Sequence, residues 1–215
     1  MLVEFARGRR VAHVGFVDEH RLEAKVGQGT WLHARLAESA SSLVGLDLEA
    51  EGVRWAVEHG FEAHAVDAQS AEAVAELGLE PADVVIAGEV VEHLDAPGPF
   101  FASLRQLVRD DGLLVVTTPN AFRFLNFVAP VGGVELVHPD HTAWHSPHTL
   151  TTLLGRSGWE VAGIAYYQNP APQLEGFTGT FVRCARSAFV RIGRLAPYWC
   201  DGLVVWAHPA QHARG

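Results

Sequence analysis

The chain has almost no lysine. Lys25 is the single one among 16 basic residues in 215, so Schiff-base chemistry and any Tyr-x-x-x-Lys reductase mechanism have almost nowhere to sit. Cysteine is equally scarce: Cys184 and Cys200, with no Cys-x-x-Cys spacing, exclude a disulfide scaffold and a thiolate zinc site. Positive charge is also in deficit. Sixteen basic against 25 acidic residues leave a formal net charge of −9, which argues against tracking of nucleic-acid phosphates, and no nucleic-acid partner is expected. No apolar run approaches the ~20 residues of a membrane span, and Met1 to Arg7 lacks the apolar stretch of a leader, so a cytoplasmic location is the expectation. Internal repeats and low-complexity segments are absent.

What is present suffices for a core: 48% of residues are apolar and 19% charged, and the length suits one domain over residues 1–215. Short continuous apolar runs at Val11 to Val14, Leu43 to Leu48, Asp83 to Ala87 and Leu113 to Thr118 read as strands covered on both faces. Helical patterns lie between them. Ser70 caps one that stops at Gly78, Pro99 opens one carrying Phe101, Leu104, Leu107 and Val108 that stops near Gly112, and Ser146-Pro147 opens a third carrying Leu150, Leu153 and Leu154. This alternation predicts an α/β doubly wound, mostly parallel sheet. Trp159 to Tyr167 and Leu203 to Ala207 read as an antiparallel strand pair at one edge, with a helix over about 179–195 between them. Residues 120–144 and 168–179 read as loops over the site.

In a doubly wound sheet, ligands bind outside the carboxyl ends of the strands, where the strand order reverses. Gly15 follows the first strand there, and Asp47 ends the second, where a carboxylate can accept from two ribose hydroxyls. Asp47 is equally a candidate cap for the helix beginning at Glu49.

Four segments in order then carry a resemblance: Val-Gly-Leu-Asp-Leu at 44–48, His64-Ala65-Val66-Asp67-Ala68, Asp-Val-Val-Ile-Ala-Gly-Glu-Val-Val-Glu-His-Leu at 83–94, and Gly-Leu-Leu-Val-Val-Thr-Thr-Pro-Asn at 112–120. Together with the His-Pro-Asp-His-x-x-Trp-x-Ser-Pro segment from His138, they resemble the class I S-adenosylmethionine-dependent methyltransferases, in particular the small-molecule branch that includes ubiquinone-type O-methyltransferases. The resemblance implies a Rossmann-like fold, S-adenosyl-L-methionine as cofactor and transfer of its methyl group to a small-molecule acceptor, most readily at oxygen. It places Gly15 and Phe16 along the methionine part, Asp47 on the ribose and Leu48 on the adenine. Asp67 would accept from the adenine amino group with Ala68 at the ring edge, and Gly88 and Glu89 would face the sulfonium and the acceptor. The sequence departs from the family in the first loop: His13 stands where an acidic residue is usual, Val17 and Asp18 replace later glycines, and 32 residues separate Gly15 from Asp47. The extra length runs from Val17 to Thr30, and the first helix is expected after it, carrying Trp31, Leu32 and Leu36. A valine at Gly15 is expected to evict the cofactor and spare the fold.

O-methylation needs a base for the acceptor's proton, and neutral imidazole is apt near pH 7. His141 is the first candidate and His138 the second. His145 and His148 fall at a helix start and read as structural, and His93 as a packing residue. No metal is assigned, although His138, His141 and Asp140 leave that reading open. Phe122, Phe124, Leu125 and Phe127 form an aromatic patch, either a lid over an acceptor or a helix buried on the sheet. The arginines of the 179–195 helix read as a solvated back, with a surface for acidic lipids as the sharper alternative. A nicotinamide-dependent oxidoreductase and a non-catalytic methyltransferase-like binding protein are the rival functions.

Overall fold

In the computed structural model the described residues are 1–18, 22–169 and 196–211; the expected helix over 179–195 and most of the 168–179 loop lie outside them. In chain order the elements are α1 (Leu2–Ala6), β1 (Arg10–Val14), α2 (Leu22–Gly27), α3 (Leu32–Ala37), β2 (Ser42–Asp47), α4 (Ala50–Glu58), β3 (Glu62–Ala65), α5 (Ala71–Glu76), β4 (Ala82–Gly88), α6 (Pro97–Leu104), β5 (Val108–Pro119), α7 (Leu125–Val128), α8 (Pro147–Arg156), β6 (Trp159–Tyr167) and β7 (Gly202–Pro209). The seven strands form one sheet in the order β3-β2-β1-β4-β5-β7-β6. β1 to β5 pair in parallel, and β7 runs antiparallel between β5 and β6.

Period-two alternation sends each central strand into two cores. Ala12, Val14, Val85, Ala87, Leu114 and Val116 face a layer holding Phe100, Phe101, Leu104, Leu150 and Leu154. Val11, Val84, Ile86, Leu113 and Val115 face Ala6 of α1 and Leu36 of α3. The helices start where their caps put them. Ser70 accepts from the Ala73 amide, and Ser146 and Thr149 form a reciprocal capping box that opens α8. Trp159 closes the far end of that layer, its ring buried and its indole N–H donating to the Phe101 carbonyl at 3.0 Å.

Three expectations change. β3 is a strand although Glu62–Ala65 carries no apolar run; it is half-exposed and held by backbone pairing with β2. α6 starts at Pro97 rather than Pro99 and ends at Leu104. Leu107 and Val108 leave the helix because the Leu107 carbonyl accepts the Ala82 amide and Val108 pairs with Ala82, so β5 begins five residues earlier than the apolar run at Leu113 suggests. The span from Val17 to Thr30 carries α2, and the helix expected to carry Trp31 is α3, which starts at Leu32 with Trp31 as its N-cap.

A third cluster, of rings, fills the space above β1 and β2. Phe16, Trp31, His33 and Phe61 meet at centroid separations of 4.5 to 6.1 Å. His13 stacks on His33 with their Nδ1 atoms 3.2 Å apart. Burial holds His33 at about 4 and His13 well below the ordinary imidazole value, with the charge of His33 a second cause. The unfolded chain takes up these protons near pH ~6.5 and the folded chain does not. The pair's contribution is therefore complete above pH ~6.5 and is lost as pH falls toward 4. Between pH 7 and 5, the urea midpoint of His33→Gln should fall less than that of the wild type; equal falls would show that the pair does not set acid sensitivity. Comparing the two proteins cancels the opposite contribution of carboxyls that burial raises, Glu92 among them.

Candidate active site

Three adjacent strands end together at the switch point. β1 lies between β2 and β4, with Val14 opposite Leu46 on one side and Ala87 on the other. Gly15, Asp47 and Gly88 are thus neighbours in register at the carboxyl edge, which is where open α/β sheets bind ligands.

Asp47 is half-buried. Its Oδ2 accepts the Val17 amide at 2.8 Å and its Oδ1 the Glu49 amide at 3.0 Å. Burial raises its pKa and these amides pull it back. The cap of α4 is Glu49, which accepts from the amides of Glu51 and Gly52, so Asp47 is not the capping residue. With the Leu48 amide as a third donor, the Asp47 carboxylate still keeps acceptor capacity. Leu48 beside it is 71% exposed. Asp67 is exposed, and its Oδ1 accepts the Gln69 amide at 2.9 Å; the Ala68 carbonyl accepts from the Ser103 hydroxyl.

Gly15 has φ +70°, and a Cβ on it would come within 2.1 Å of Val90 Cγ2. The glycine is therefore needed by the fold itself, and the expectation that a valine there spares the fold is corrected. The Phe16 ring is 2% exposed inside the aromatic cluster and its carbonyl accepts the Trp31 indole N–H at 3.0 Å, so its backbone rather than its ring lies at the carboxyl edge.

Glu89, after Gly88, holds φ 55°, the one positive φ outside glycine among the described residues. Such a conformation costs ~1–3 kcal/mol and clusters at functional sites. Its Oε1 accepts from the Thr117 and Tyr167 hydroxyls, both at 2.8 Å. Solvent reaches it, yet protein surrounds it on most sides, and this desolvation raises its carboxyl. Tyr167 is pushed up in turn, chiefly by burial and then by Glu89. Sequence reasoning passed over Thr117 and Tyr167. Their signal was positional, since both lie at strand ends that the antiparallel pairing of β7 carries to this edge.

The histidines stand past β4. Glu92, in the 3₁₀ turn Val91–His93, is 1% exposed, with Oε2 accepting from Thr118 at 2.9 Å. Burial, then Glu89, pushes its carboxyl up to about 8. Its backbone carbonyl accepts the amides of Thr142 and Ala143, which pins the imidazole-rich segment here. The His141 ring lies 4.6 Å from that of His93 and 5.3 Å from that of His138. Burial, then the neighbouring imidazoles His93 and His138, lowers His141 to about 4. His138 is exposed, its Nδ1 3.5 Å from Asp140 Oδ2. His145 is buried and bonded to the Val91 backbone, and His148 is exposed on α8. Among the described residues, Glu92, His93 and His141 are the group that could share a metal ion.

The expected loop over 120–144 contains α7 and a 3₁₀ turn, Ala129–Gly132. Phe122, Leu125 and Phe127 are 43 to 56% exposed, so this aromatic patch is not a helix buried on the sheet. A cavity of about 650 Å³ lies at the opposite, amino edge, lined by Phe5, Arg9, Asp83, Arg109 and Trp206. Its carboxylates Asp83 and Asp111 are paired with Arg109 and its Glu4 with Arg7, and none of the residues above lines it.

This strand order and the site at its switch point define a class I methyltransferase sheet. A family described as a methyltransferase domain matches residues 16–163, and the chain belongs to that family of S-adenosylmethionine-dependent enzymes. It is 32% identical over 147 residues to a ubiquinone biosynthesis O-methyltransferase of Azorhizobium caulinodans, covering 64% of this chain and 57% of that protein. It is 31% identical over 150 residues to a probable S-adenosylmethionine-dependent methyltransferase of Mycolicibacterium smegmatis, covering 65% and 51%. The chain thus matches little more than half the length of these relatives. Among solved structures it resembles magnesium protoporphyrin IX methyltransferase from Synechocystis PCC 6803, a structure with bound S-adenosylhomocysteine, at TM-score 0.61 and 14% identity over 97% of this chain and 80% of that one. A methyltransferase from Mesorhizobium loti gives TM-score 0.58 and 14% identity over 94% and 92%. At these identities the likeness is one of fold. The family's cofactor is S-adenosylmethionine, and no helix among the described residues is long and apolar enough to cross a membrane.

Replacing Gly15 by Ala should lower stability by about 1–3 kcal/mol through backbone strain alone, with the Val90 contact adding to it. Urea unfolding at wild-type stability would show that the turn relaxes freely.

Proposed function

We propose that the protein transfers the methyl group of S-adenosylmethionine to an oxygen of a small-molecule acceptor. The observation that carries this reading is the Asp47 carboxylate at the switch point, held by backbone amides with acceptor capacity to spare and flanked by an exposed leucine. That arrangement suits a ribose diol with an adenine on Leu48. Gly15, Asp67, Ala68, Gly88 and the backbone of Phe16 complete the cofactor side. When bound, the cofactor supplies an activated methyl on a sulfonium. Glu89 faces that cation, kept in place by Thr117 and Tyr167, and a carboxylate there offsets a charge that a low-dielectric cleft would otherwise leave uncompensated. The reaction is an in-line displacement, so the chain's main contribution is alignment.

The acceptor's proton leaves on the side of the imidazoles. Both His138 and His141 stand there, and His138 is the better placed. It is exposed and has Asp140 beside it, whereas the Nδ1 of His141 is buried. This reverses the order read from the sequence. The exposed aromatic patch of Phe122, Leu125 and Phe127 suits an apolar wall for the acceptor.

Asp47→Ala should weaken S-adenosylhomocysteine binding by about 1.5–3 kcal/mol, the worth of hydrogen bonds to a charged group. Calorimetry on a variant checked by circular dichroism measures it, and unchanged affinity would remove Asp47 from the site. His138→Ala should slow methyl transfer by ~10²–10⁴-fold at nearly constant cofactor affinity. The loss should shrink for acidic phenols, and a full rate with an aliphatic alcohol would sink the assignment.

A further inference from the structure

Arg123 follows the carboxyl end of β5, in the segment that carries the exposed patch of Phe122, Leu125 and Phe127. It is half-buried, and burial lowers its pKa while the charges of Asp201 and Tyr167 pull it back. Its own charge helps to lower His141. It therefore lies within electrostatic reach of the imidazoles and of the tyrosine that holds Glu89. Among the described residues no carboxylate forms an ion pair with it. The carboxylate that acts on it is Asp201, whose Oδ2 accepts the side-chain amide of Gln168 and the backbone amide of Asn169 at 2.7 and 2.9 Å. Lys25, whose charge reaches Glu89, is by contrast paired with Asp18.

The guanidinium is also fixed in place. Its carbon stands 4.9 Å from the centroid of the Trp144 ring. Its Nε donates to Asn126 Oδ1 at 2.7 Å, and its Nη2 to the Leu136 carbonyl. The Asn126 amide donates in turn to the Ala121 carbonyl at 3.0 Å, which aims its oxygen at the arginine. Two of the five guanidinium N–H groups are thus used. The others, both on Nη1 among them, point outward in the plane of the fork, which stacking on Trp144 leaves open. Pinning this loop does not need a charge, and a half-buried charge without a counter-ion lowers stability.

We infer that Arg123 selects the acceptor by its carboxylate, so that the substrate is a hydroxy acid with an apolar body. The anion site stands by itself, whereas the part played by the hydroxyl rests on the methyl-transfer reading. A carboxylate matches the planar fork in shape and in charge. A phosphate, at about −1.5 to −2 near neutral pH, asks for more positive charge than one arginine acted on by Asp201 supplies. Phe122, Leu125 and Phe127 offer surface to the apolar body. The acid itself is unchanged by the reaction. The hydroxyl oxygen's electron pair forms the O–CH₃ bond as the S–CH₃ bond breaks, its proton passes to His138, and the sulfonium leaves as a neutral thioether. The carboxylate, held by the arginine, is the poorer nucleophile.

The test sets para-hydroxyphenylacetate, para-hydroxycinnamate and hydroxydecanoate beside their neutral amides, each titrated by calorimetry into the full-length protein with and without S-adenosylhomocysteine. The wild type should bind acids ~10–150-fold more tightly than amides, the worth of a charge-assisted hydrogen bond. Arg123→Gln should erase that preference and leave amide affinity unchanged. Arg123→Lys keeps the charge without the fork, so it should restore part of the preference, and it keeps the test decisive if the glutamine variant fails to fold. A purely structural arginine would lower acid and amide binding alike, and that result overturns the inference. So does a wild type that prefers no acid of the set over its amide. An acid preference that depends on Arg123, in a protein that binds no S-adenosylhomocysteine, would uphold the anion site and sink the methyl-transfer reading. With both in place, mass spectrometry of the product should find a methyl ether of the acid; a methyl ester would overturn the assignment of the hydroxyl as the reacting group.

Discussion

The path of the first loop is fixed by ring packing, and the carboxyl edge takes its shape from that. Gly45 on β2 makes the packing possible: a Cβ there would come within 2.8 Å of the Phe16 ring and 2.9 Å of His33. With that space open, Phe16 turns inward, Trp31 anchors its carbonyl, and Val17 follows directly to place its amide on Asp47. A glycine-rich loop approaches a ligand through backbone freedom. This chain reaches the same place with a backbone held by aromatic contacts and one carboxylate. The long segment before α3 delivers Trp31 and His33 to the cluster.

Three carboxylates then crowd the switch point. Burial raises the pKa of each, and only Glu89 feels opposing positive charge among the described residues, from His93 and Lys25. Hydroxyls and amides hold them instead, through Thr117, Tyr167, Thr118, Val17 and Glu49. Such an arrangement lowers stability in the absence of positive charge and raises affinity for whatever cation arrives. Local rules of stability are broken by these carboxylates at the edge where open α/β sheets bind ligands.

Much of this was legible in the residues. Continuous Val, Ile and Leu runs gave away β1, β2, β4 and β5 because both faces of those strands are covered. Glu62–Ala65 gave no such sign, since an edge strand with a half-exposed face needs only its backbone partners. The end of α6 was hidden because Leu107 and Val108 extend the apolar pattern of a helix while pairing as a strand. Asp47 and Glu89 could be read from their places after strands. The bare oxygen of Glu92 could not, for it depends on Thr118 of β5 meeting one carboxylate oxygen and not the other. Phe16 misled by adjacency: next to Gly15 in sequence, its ring belongs to a different layer.

The placing of β7 has a consequence for the order of assembly. β6 reaches β5 only through β7, yet 34 residues separate the end of β6 from the start of β7. As the chain emerges from the ribosome, β6 is made before it has a strand to pair with. The edge β5-β7-β6 is a long-range closure of the kind that slows folding. Tyr167 ends β6, so its bond to Glu89 forms only after that closure. Asn120, which donates to the carbonyls of Tyr198 and Cys200, waits on the same event. A nascent chain can thus build the nucleoside side of its sheet early, while the side that would receive the acceptor is completed last.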